Sequence, residues 1–539
     1  IAGSMYDLTG RVVCRCGARC VVKVIRDQWF LAYSDEGWKR RAHEALSSMR
    51  VCPEEAREWF KATIDWLVDK ACVRGSGIGT PLPWQPDLII ETLSDSTIYM
   101  CYYLVAKFVN SGLVKTSQLT NELFDYVLLG IGSAKEVSER TGASERTLRA
   151  MREEFLYWYP VDLRVSAKEL IPNHLTFAIF HHTAIFPKED WPRMFAVNGM
   201  VNIEGRKMSK SKGNFVPIRD AIERYGSDAT RCALLLSAED MNDPNWRAKD
   251  VQSTMVNLAR FYDLARRIVS MKGKGKEGWV ESWLETAFQR GIRIVTENLD
   301  RLKTRTALEN AFYELFADVR RYLEIREAGA SAPLLRRGLD IWTRLMAPFA
   351  PHLCEEIWHL MGRSGFVALA EWPVYDETCV DIGSELLMEI VEGVIGDSQN
   401  IIRALRAIEP KSVCYYTASR WKWTVYLRAL ELAKIGRLSM RDLMAGLRED
   451  EEIRCRIKEA ARYSQGLVEK LRTLPRDEMD RRLKAGVLDE RGALREIRPY
   501  LERRMRARVL VYGEDDPDRY DPMGRAKLAE PYRPAIYLE

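Results

Sequence analysis

The sequence predicts a multidomain chain: an α/β region first, then an α-helical bundle, then a small α+β domain. Three observations carry that expectation. At 539 residues the chain suits three or four domains of about 100–200 residues each. From Val251 to the Trp372-Pro373 pair the apolar spacing is helical throughout. Strand-like segments occur before that stretch, and again at 413–417 and 509–512. With 47% hydrophobic and 29% charged residues, the composition excludes a disordered, collagen-like or disulfide-stapled chain.

The elements follow in order. Val21, Val22, Val24 and Ile25 predict strands within 11–33. Trp38, Ala42 and Leu46, then Phe60, Ile64 and Leu67, predict helix over 36–70. Glycines and prolines between 75 and 86 predict a loop. A helix is expected from about Thr97 to Asn110, capped by Asp95 or Ser96. Strands at 196–199 and 201–203 alternate with helices. One helix opens at Pro217 and ends near Gly226, and the next is capped by Ser227 or Asp228. The bundle is expected to contain four helices, the last over 336–361, with 272–276 as a connecting loop. Val137 to Arg149, with Gly142 at a turn, has the pattern of a helix-turn-helix inside the α/β region. Trp66, Trp84, Pro348, Pro351 and Trp358 are expected to pack, and His352 and Glu355 to stabilise the bundle.

Charge is unevenly spread. The chain carries a formal +5, but residues 401–510 hold 27 Lys/Arg against 16 Asp/Glu. A basic segment beside near-neutral ones is an electrostatic footprint for a polyanion, and a solvated helical surface is the other reading. No apolar run approaches the length of a membrane span, so no membrane partner is expected. Eleven cysteines without a regular framework suit reduced thiols in the cytoplasm. Cys14, Cys16 and Cys20 suggest a metal knuckle. Tetrahedral zinc needs a fourth ligand; His43 and Cys52 are the nearest candidates, and C-x-C is tighter than the usual spacing. Three free thiols on a strand pair is the alternative, and no metal ligand is assigned.

The sharpest chemical element is Lys207-Met208-Ser209-Lys210-Ser211-Lys212-Gly213-Asn214. Ammonium groups and hydroxyls on a loop that turns at glycine suit a triphosphate. Ammoniums brought to a departing pyrophosphate stabilise the transition state more than the ground state.

That string resembles the signature loop of class I aminoacyl-tRNA synthetases. Asp65-Trp66, Lys70, Cys72, Arg74 and the run Gly79 to Trp84 resemble the segment after the editing insertion in the group specific for Leu, Ile, Val and Met. Glu91 to Tyr99, Tyr157 to Pro160, Asp162 and Arg164, Leu170 to His174, Trp246-Arg247, Met346 to Trp358 and Arg533 to Glu539 look like the archaeal-type leucyl family. The resemblance runs through essentially the whole chain in the family's order.

It implies the second half of a Rossmann-like class I catalytic domain over 35–250, preceded at 1–34 by the end of an inserted editing or connective region. It implies an anticodon-binding-type bundle over 251–375 and a tRNA-binding α+β domain over 376–539. The implied activity is ATP-dependent activation of leucine and its transfer to leucine tRNA, with magnesium accompanying ATP. Lys207 and Lys210 would be catalytic. Met208, Ser209, Ser211, Glu169 and His174 would bind ATP, and Asp95 and Ser96 leucine. Arg495, Arg498, Arg503, Arg504, Arg506 and Arg508 would bind tRNA. On a helix Arg495 and Arg498, three apart, and Arg504 and Arg508, four apart, are neighbours, with Pro499 separating the two pairs. Ala167 stands where the family carries glycine, and adds a methyl where the ribose would pack.

The family's His-x-Gly-His element has no match among the six histidines. The chain is therefore expected to be part of a longer machine: a subunit completed by a separate chain, a gene fragment or a truncation. A non-catalytic tRNA-binding paralogue and an isoleucyl or valyl enzyme are the alternative functions.

Overall fold

The helix Glu36–Ser48 starts where the Asp35 carboxylate accepts the Trp38 N–H at 2.7 Å, and it buries Ala42, Ala45 and Leu46. It stops at Ser48 because the next residues join a sheet. The strand Arg50–Cys52 pairs in parallel with Met194–Asn198, which pairs in parallel with Arg164–Ala167. A second helix, Ala56–Trp66, follows. The single helix expected over 36–70 is thus two helices around a strand. Helical spacing on both sides concealed a short segment whose Val51 is 3% exposed in the sheet.

The structure is a computed structural model describing residues 8, 10–14, 16–25, 28–209, 213–404 and 410–539. Contacts divide the chain into two units, Ile1–Met208 with Ala238–Asn245, and Ser209–Ser237 with Trp246–Glu539. No helix among the described residues is long and apolar enough to cross a membrane.

The first unit is built on the parallel sheet. Its middle strand buries Phe195, Ala196 and Val197 in succession, the pattern of a strand covered on both faces. The helix Thr176–Ile185 connects two of the strands and is buried almost all round. Tyr33 stacks between Trp38 and Phe177 in the core. The loop expected at 75–86 instead contributes to an antiparallel sheet of Val73–Arg74, Gln85–Ile90 and Pro81–Leu82. Glycine and proline mark turns here, but the strands between them are too short to announce themselves.

The paired helices Ala134–Thr141 and Glu145–Trp158 turn at Gly142, whose φ of 71° is left-handed. Their apolar faces, with Val137, Leu148 and Met151, close a separate small core. The strands expected at 11–33 are reduced to Phe30–Leu31 and a bridge between Val13 and Arg19. Val21 and Val24 are 78% and 76% exposed: their β propensity finds no sheet to pair with. Trp66 and Trp84, expected to pack, are likewise 73% and 65% exposed.

The second unit is mostly helical. Ile218–Tyr225 begins after Pro217 and ends at Gly226, as its end signals predict. The bundle comprises Ser227–Ser237, Ala248–Ser270, Trp279–Asp300, a run from Thr304 through a π-helical turn to Leu315–Arg326, Ala332–Met346 and Pro351–Leu360. The helix expected over 336–361 is therefore two, because Pro348 and Pro351 interrupt the amide ladder. Gly338 is required where helices meet, since a Cβ there would lie 2.1 Å from the Phe288 ring. Residues 272–276 are the expected connection. Trp358 is buried, and the Glu355 carboxylate accepts the Val367 N–H at 3.0 Å.

The carboxyl-terminal part of this unit carries Ser412–Thr417, parallel to Arg508–Gly513 and antiparallel to Ala535–Leu538. The first two strands match expectation. Arg326, its side chain 7% exposed, reaches Glu281 at 2.6 Å and Glu496 at 2.8 Å, locking this part to the bundle.

Candidate active site

In open sheets of parallel strands, ligands bind beyond the carboxyl ends of the strands. Here the edge strand ends at Ala167 and the middle strand at Asn198. Ala167 leads into the turn Lys168–Leu170, which carries Glu169, and then into the π-helical turn Ile171–Leu175, which carries His174. Glu169 is exposed and His174 half-buried. Chain continuity and the sheet thus bring these two predicted residues to one end of the fold.

The middle strand leads through Gly199 to a hairpin. A Cβ at Gly199 would lie 2.1 Å from the Asn242 carbonyl oxygen, so only glycine admits the 238–245 segment there. That segment is clamped by Lys168, whose ammonium reaches the Asp243 carboxylate at 2.7 Å and the Met241 carbonyl at 2.9 Å. Asp243 also accepts the Met200 N–H at 2.9 Å. The hydrogen bonds from Lys168 and Met200, aided by the charges of Lys168 and Lys207, hold its carboxyl below the usual range. Sequence reasoning missed Lys168 and Asp243. Their signal was weak: a lysine beside Glu169, and an Asp-Pro pair just before Trp246.

The strands Asn202–Ile203 and Arg206–Lys207 pair across a two-residue turn in which Glu204 and Gly205 have φ of 48° and 75°. Positive φ at both positions matches the twist of a tight hairpin. Lys207 closes this hairpin and is exposed; Met208 follows, half-buried. In the other unit, the Ser209 N–H donates to the Asn214 carbonyl at 2.9 Å, and Gly213 has φ 68°. Lys210 and Ser211 lie outside the described residues.

Asp95 and Ser96 do not cap the helix Tyr99–Asn110. Asp95 ends the short helix Thr92–Asp95, and its side chain makes no capping bond; Glu91 caps instead, accepting the Leu93 N–H at 2.8 Å. An extra helical turn precedes the expected start and moves the cap upstream. The anchored residue is Thr97, fully buried, whose hydroxyl lies 2.5 Å from Nδ1 of His181. His181 Nε2 lies 3.1 Å from the Tyr33 hydroxyl. Burial, aided by His174, lowers His181 to about 4. Burial likewise takes His182 to about 4, and its Nδ1 lies 2.7 Å from the Ala178 carbonyl oxygen.

The six carboxyl-terminal arginines are all exposed, spread over two helices, the residue that ends the second, and a strand. Arg495 ends up on the helix Glu490–Glu496 and Arg498 opens the next helix, Arg498–Met505, so they are not helical neighbours as their spacing predicts. The break falls before Arg498, with Pro499 inside the first turn, where its missing N–H costs nothing. Arg504 lies on that helix and Arg508 on the strand Arg508–Gly513, so that pair is separated too. Arg495 donates to the Val511 carbonyl at 3.0 Å and Arg503 to the Glu324 carbonyl at 2.7 Å. Arg498 sits 3.9 Å from Glu502. Arg504, Arg506 and Arg508 are exposed and make no ion pair among the described residues.

A further groove was not legible in the sequence. It has a volume of about 730 Å³ in the bundle and is lined by Arg260, Arg267 and Arg320 together with Asp263 and Glu324, around Phe316 and Leu323. Arg320 pairs with Glu324 at 3.3 Å. Arg260 and Arg267, seven residues apart, share one face of the helix Ala248–Ser270. Arg320 also borders a neighbouring groove of about 420 Å³ with Tyr500 and Arg504.

No three described His, Cys, Asp or Glu side chains come together to hold a metal. Cys14 and Cys16 are exposed, and His43 bonds Asp65 at 2.7 Å, so the zinc knuckle finds no ligand set among the described residues. A protein-built cage for magnesium is equally lacking there.

A family described as "tRNA synthetases class I (M)" matches residues 140–268, and one described as "Anticodon-binding domain of tRNA ligase" matches 281–413. The chain is also similar in fold to Mycobacterium tuberculosis methionyl-tRNA synthetase in complex with methionyl-adenylate, with a TM-score of 0.50, 18% identity and 67% of each chain covered. A parallel sheet ending in this loop, followed by this bundle, defines a class I aminoacyl-tRNA synthetase chain. Within that class it belongs to the archaeal-type leucyl-tRNA synthetase family. It is 45% identical to the leucine–tRNA ligase of Methanothrix thermoacetophila over 98% of this chain and 54% of that protein. It is 40% identical to that of Pyrococcus abyssi over 100% of this chain and 55% of that protein. The chain spans about half the length of the relatives it matches.

Proposed function

We propose that this chain works as part of a leucine–tRNA ligase in the cytoplasm. The leucine carboxylate attacks the α-phosphorus of ATP, pyrophosphate leaves, and the leucyl group then passes to the terminal ribose of leucine tRNA. The observation that carries this reading is the 45% identity to a leucine–tRNA ligase across 98% of the chain, with the lysine loop 207–214 intact.

In this reading Lys207 and Lys210 meet the charge that grows on the departing pyrophosphate, with Met208, Ser209 and Ser211 on the same loop. Glu169 accepts from the ribose hydroxyls and His174 lines the adenosine side. Asp95 and Ser96 face leucine from an anchored turn. Magnesium arrives with the triphosphate, and no step here depends on a protein-held ion. Arg260 and Arg267 in the bundle groove take phosphates of the tRNA, as do Arg504, Arg506 and Arg508, while Arg495, Arg498 and Arg503 contribute mainly by shaping the surface around them.

The remaining contacts come from the part of the relatives that this chain does not span, supplied as a separate chain or in fusion. Leucine-dependent exchange of pyrophosphate into ATP tests this. The 539-residue chain alone should give none, because half a site is not preorganised. Adding the complementary part of a relative should restore exchange. Persistent inactivity of the completed, folded assembly would instead favour a non-catalytic tRNA-binding role. Ala167 and the unmatched His-x-Gly-His element stand on that side, and Ala167→Gly is then the variant that separates a blocked ribose site from a lost one.

A further inference from the structure

Arg164 stands where three segments meet. It opens the strand Arg164–Ala167, whose far end leads to Glu169 and His174. One guanidinium nitrogen donates to the Thr97 carbonyl at 3.4 Å, and another contacts Nε2 of His174. The guanidinium lies 5.5 Å from the centre of the Tyr99 ring. No carboxylate among the described residues pairs with it, although it is part-buried. A buried charge without an opposite charge is expensive, and an arginine kept only for packing would be a poor solution.

The chemistry of the contact is one-sided. Arginine has donors and no acceptor, so His174 must accept through Nε2. An imidazole accepting at Nε2 is neutral and carries its proton on Nδ1. Thr97 is itself tied to His181 and through it to Tyr33, so Arg164 joins the His174 turn to an anchored element. Burial, then the Arg164 charge, depresses His174 below its ordinary value. The His174 charge also lowers His181, and the Tyr99 and Tyr159 hydroxyls bear electrostatically on Arg164.

We propose that Arg164 is a positioning residue that fixes His174 as the neutral Nδ1–H tautomer and holds its turn in register with the Thr97–Tyr99 turn. The ring then offers Nδ1–H as a donor on the nucleotide side of the site, while the segment after Asp95-Ser96 keeps its place on the leucine side. This rests on the reading of those two turns given above.

The test uses the full chain labelled with ¹⁵N-histidine, since ring-nitrogen shifts distinguish the two tautomers. Wild-type His174 should show a protonated Nδ1 and a bare Nε2 at pH 7, and should stay neutral below the ordinary histidine value of about 6.5. Arg164→Met should return the ring to a mixture rich in Nε2–H and move its titration toward that ordinary value. Arg164→Lys, also a donor only, should keep the Nδ1–H form. An unchanged far-UV circular dichroism spectrum and a cooperative thermal transition report that the fold is intact. An Nε2–H ring in the wild type, or an unaltered tautomer in a folded Arg164→Met, would overturn the proposal. If Arg164→Met itself unfolds, the wild-type tautomer and the Lys variant still decide. In the completed enzyme, Arg164→Met should raise the KM for ATP about tenfold, with Lys restoring most of the loss. A lost tautomer with unchanged kinetics would sink the functional reading of the His174 turn while leaving the Arg164 contact established.

Discussion

The Asp228 carboxylate accepts the Leu353 N–H at 2.7 Å across 125 residues of sequence. Its other oxygen takes the His352 N–H at 3.4 Å. Asp228 lies in the first turn of Ser227–Ser237, yet it caps a different helix, Pro351–Leu360, whose own cap residue Ala350 has no acceptor. Asp228→Ala should therefore destabilise the helical unit by about 1–2 kcal/mol, and Asp228→Asn by less. Urea unfolding followed by far-UV circular dichroism reads this; an unchanged midpoint for the Ala variant would mean that water replaces the cap.

The buried histidines set an acid limit on the first unit. His181 and His182 have folded values of about 4 against an ordinary 6.5. As pH falls through about 6.5 the unfolded chain binds protons on both and the folded chain does not. Stability is complete above that value, declines between about 6.5 and 4, and levels off below. The loss is at most about 3 kcal/mol per histidine. Thermal unfolding at pH 7.5, 6 and 5, beside a His181→Gln/His182→Gln variant, checks it. The variant should show a shallower acid slope; equal slopes would mean that other groups control acid lability.

Glu490 acts in the opposite direction in the other unit. It is 2% exposed, and burial raises it to about 8, against backbone hydrogen bonds from Tyr532 and Ala418 that lower it. Above its unfolded value of 4.5 the unfolded chain gives up this proton while the folded chain keeps it until about 8. Stability from this group is full below 4.5 and is lost as pH rises to 8. Glu490→Gln should raise the melting temperature at pH 8, by a stabilisation of at most about 5 kcal/mol, and change it little at pH 4.5. A variant that destabilises equally at both values would show that the carboxyl is needed for shape rather than tolerated as a protonated acid.

The bundle groove makes a prediction about RNA. Replacing Arg260 and Arg267 together with alanine should weaken leucine tRNA binding at physiological salt and reduce the salt slope by about 1 per lost phosphate contact. Arg495→Ala, whose guanidinium bonds a backbone carbonyl, should lower stability more than it lowers the salt slope. Filter binding from low to high salt separates these outcomes. Equal slopes for the groove variant and the wild type would place the RNA elsewhere.

The sequence by itself determined the features written locally in the chain. The lysine loop 207–214, the helix framed by Pro217 and Gly226, the long apolar stripes of the bundle and the strands around Val413 and Val509 all depend on neighbours within a few residues. Local spacing and end signals therefore suffice for them. The family resemblance rests on the same strings, and 45% identity to a leucine–tRNA ligase bears it out.

Tertiary structure alone decided the rest. Arg50–Cys52 became a strand because a parallel partner, Met194–Asn198, lies far along the chain. Asp228 caps a helix more than a hundred residues away. Arg495 and Arg503 look like RNA ligands in sequence, yet their donors meet the carbonyls of Val511 and Glu324. Lys168 and Asp243 carry only a weak local signal, and the string that holds Arg164 says nothing of its partners; each gains its role from a group that folding brings within hydrogen-bond reach. The reason is physical. A charge or a strand edge is satisfied by whatever lies opposite it in space, and a one-dimensional pattern records only what lies beside it in the chain.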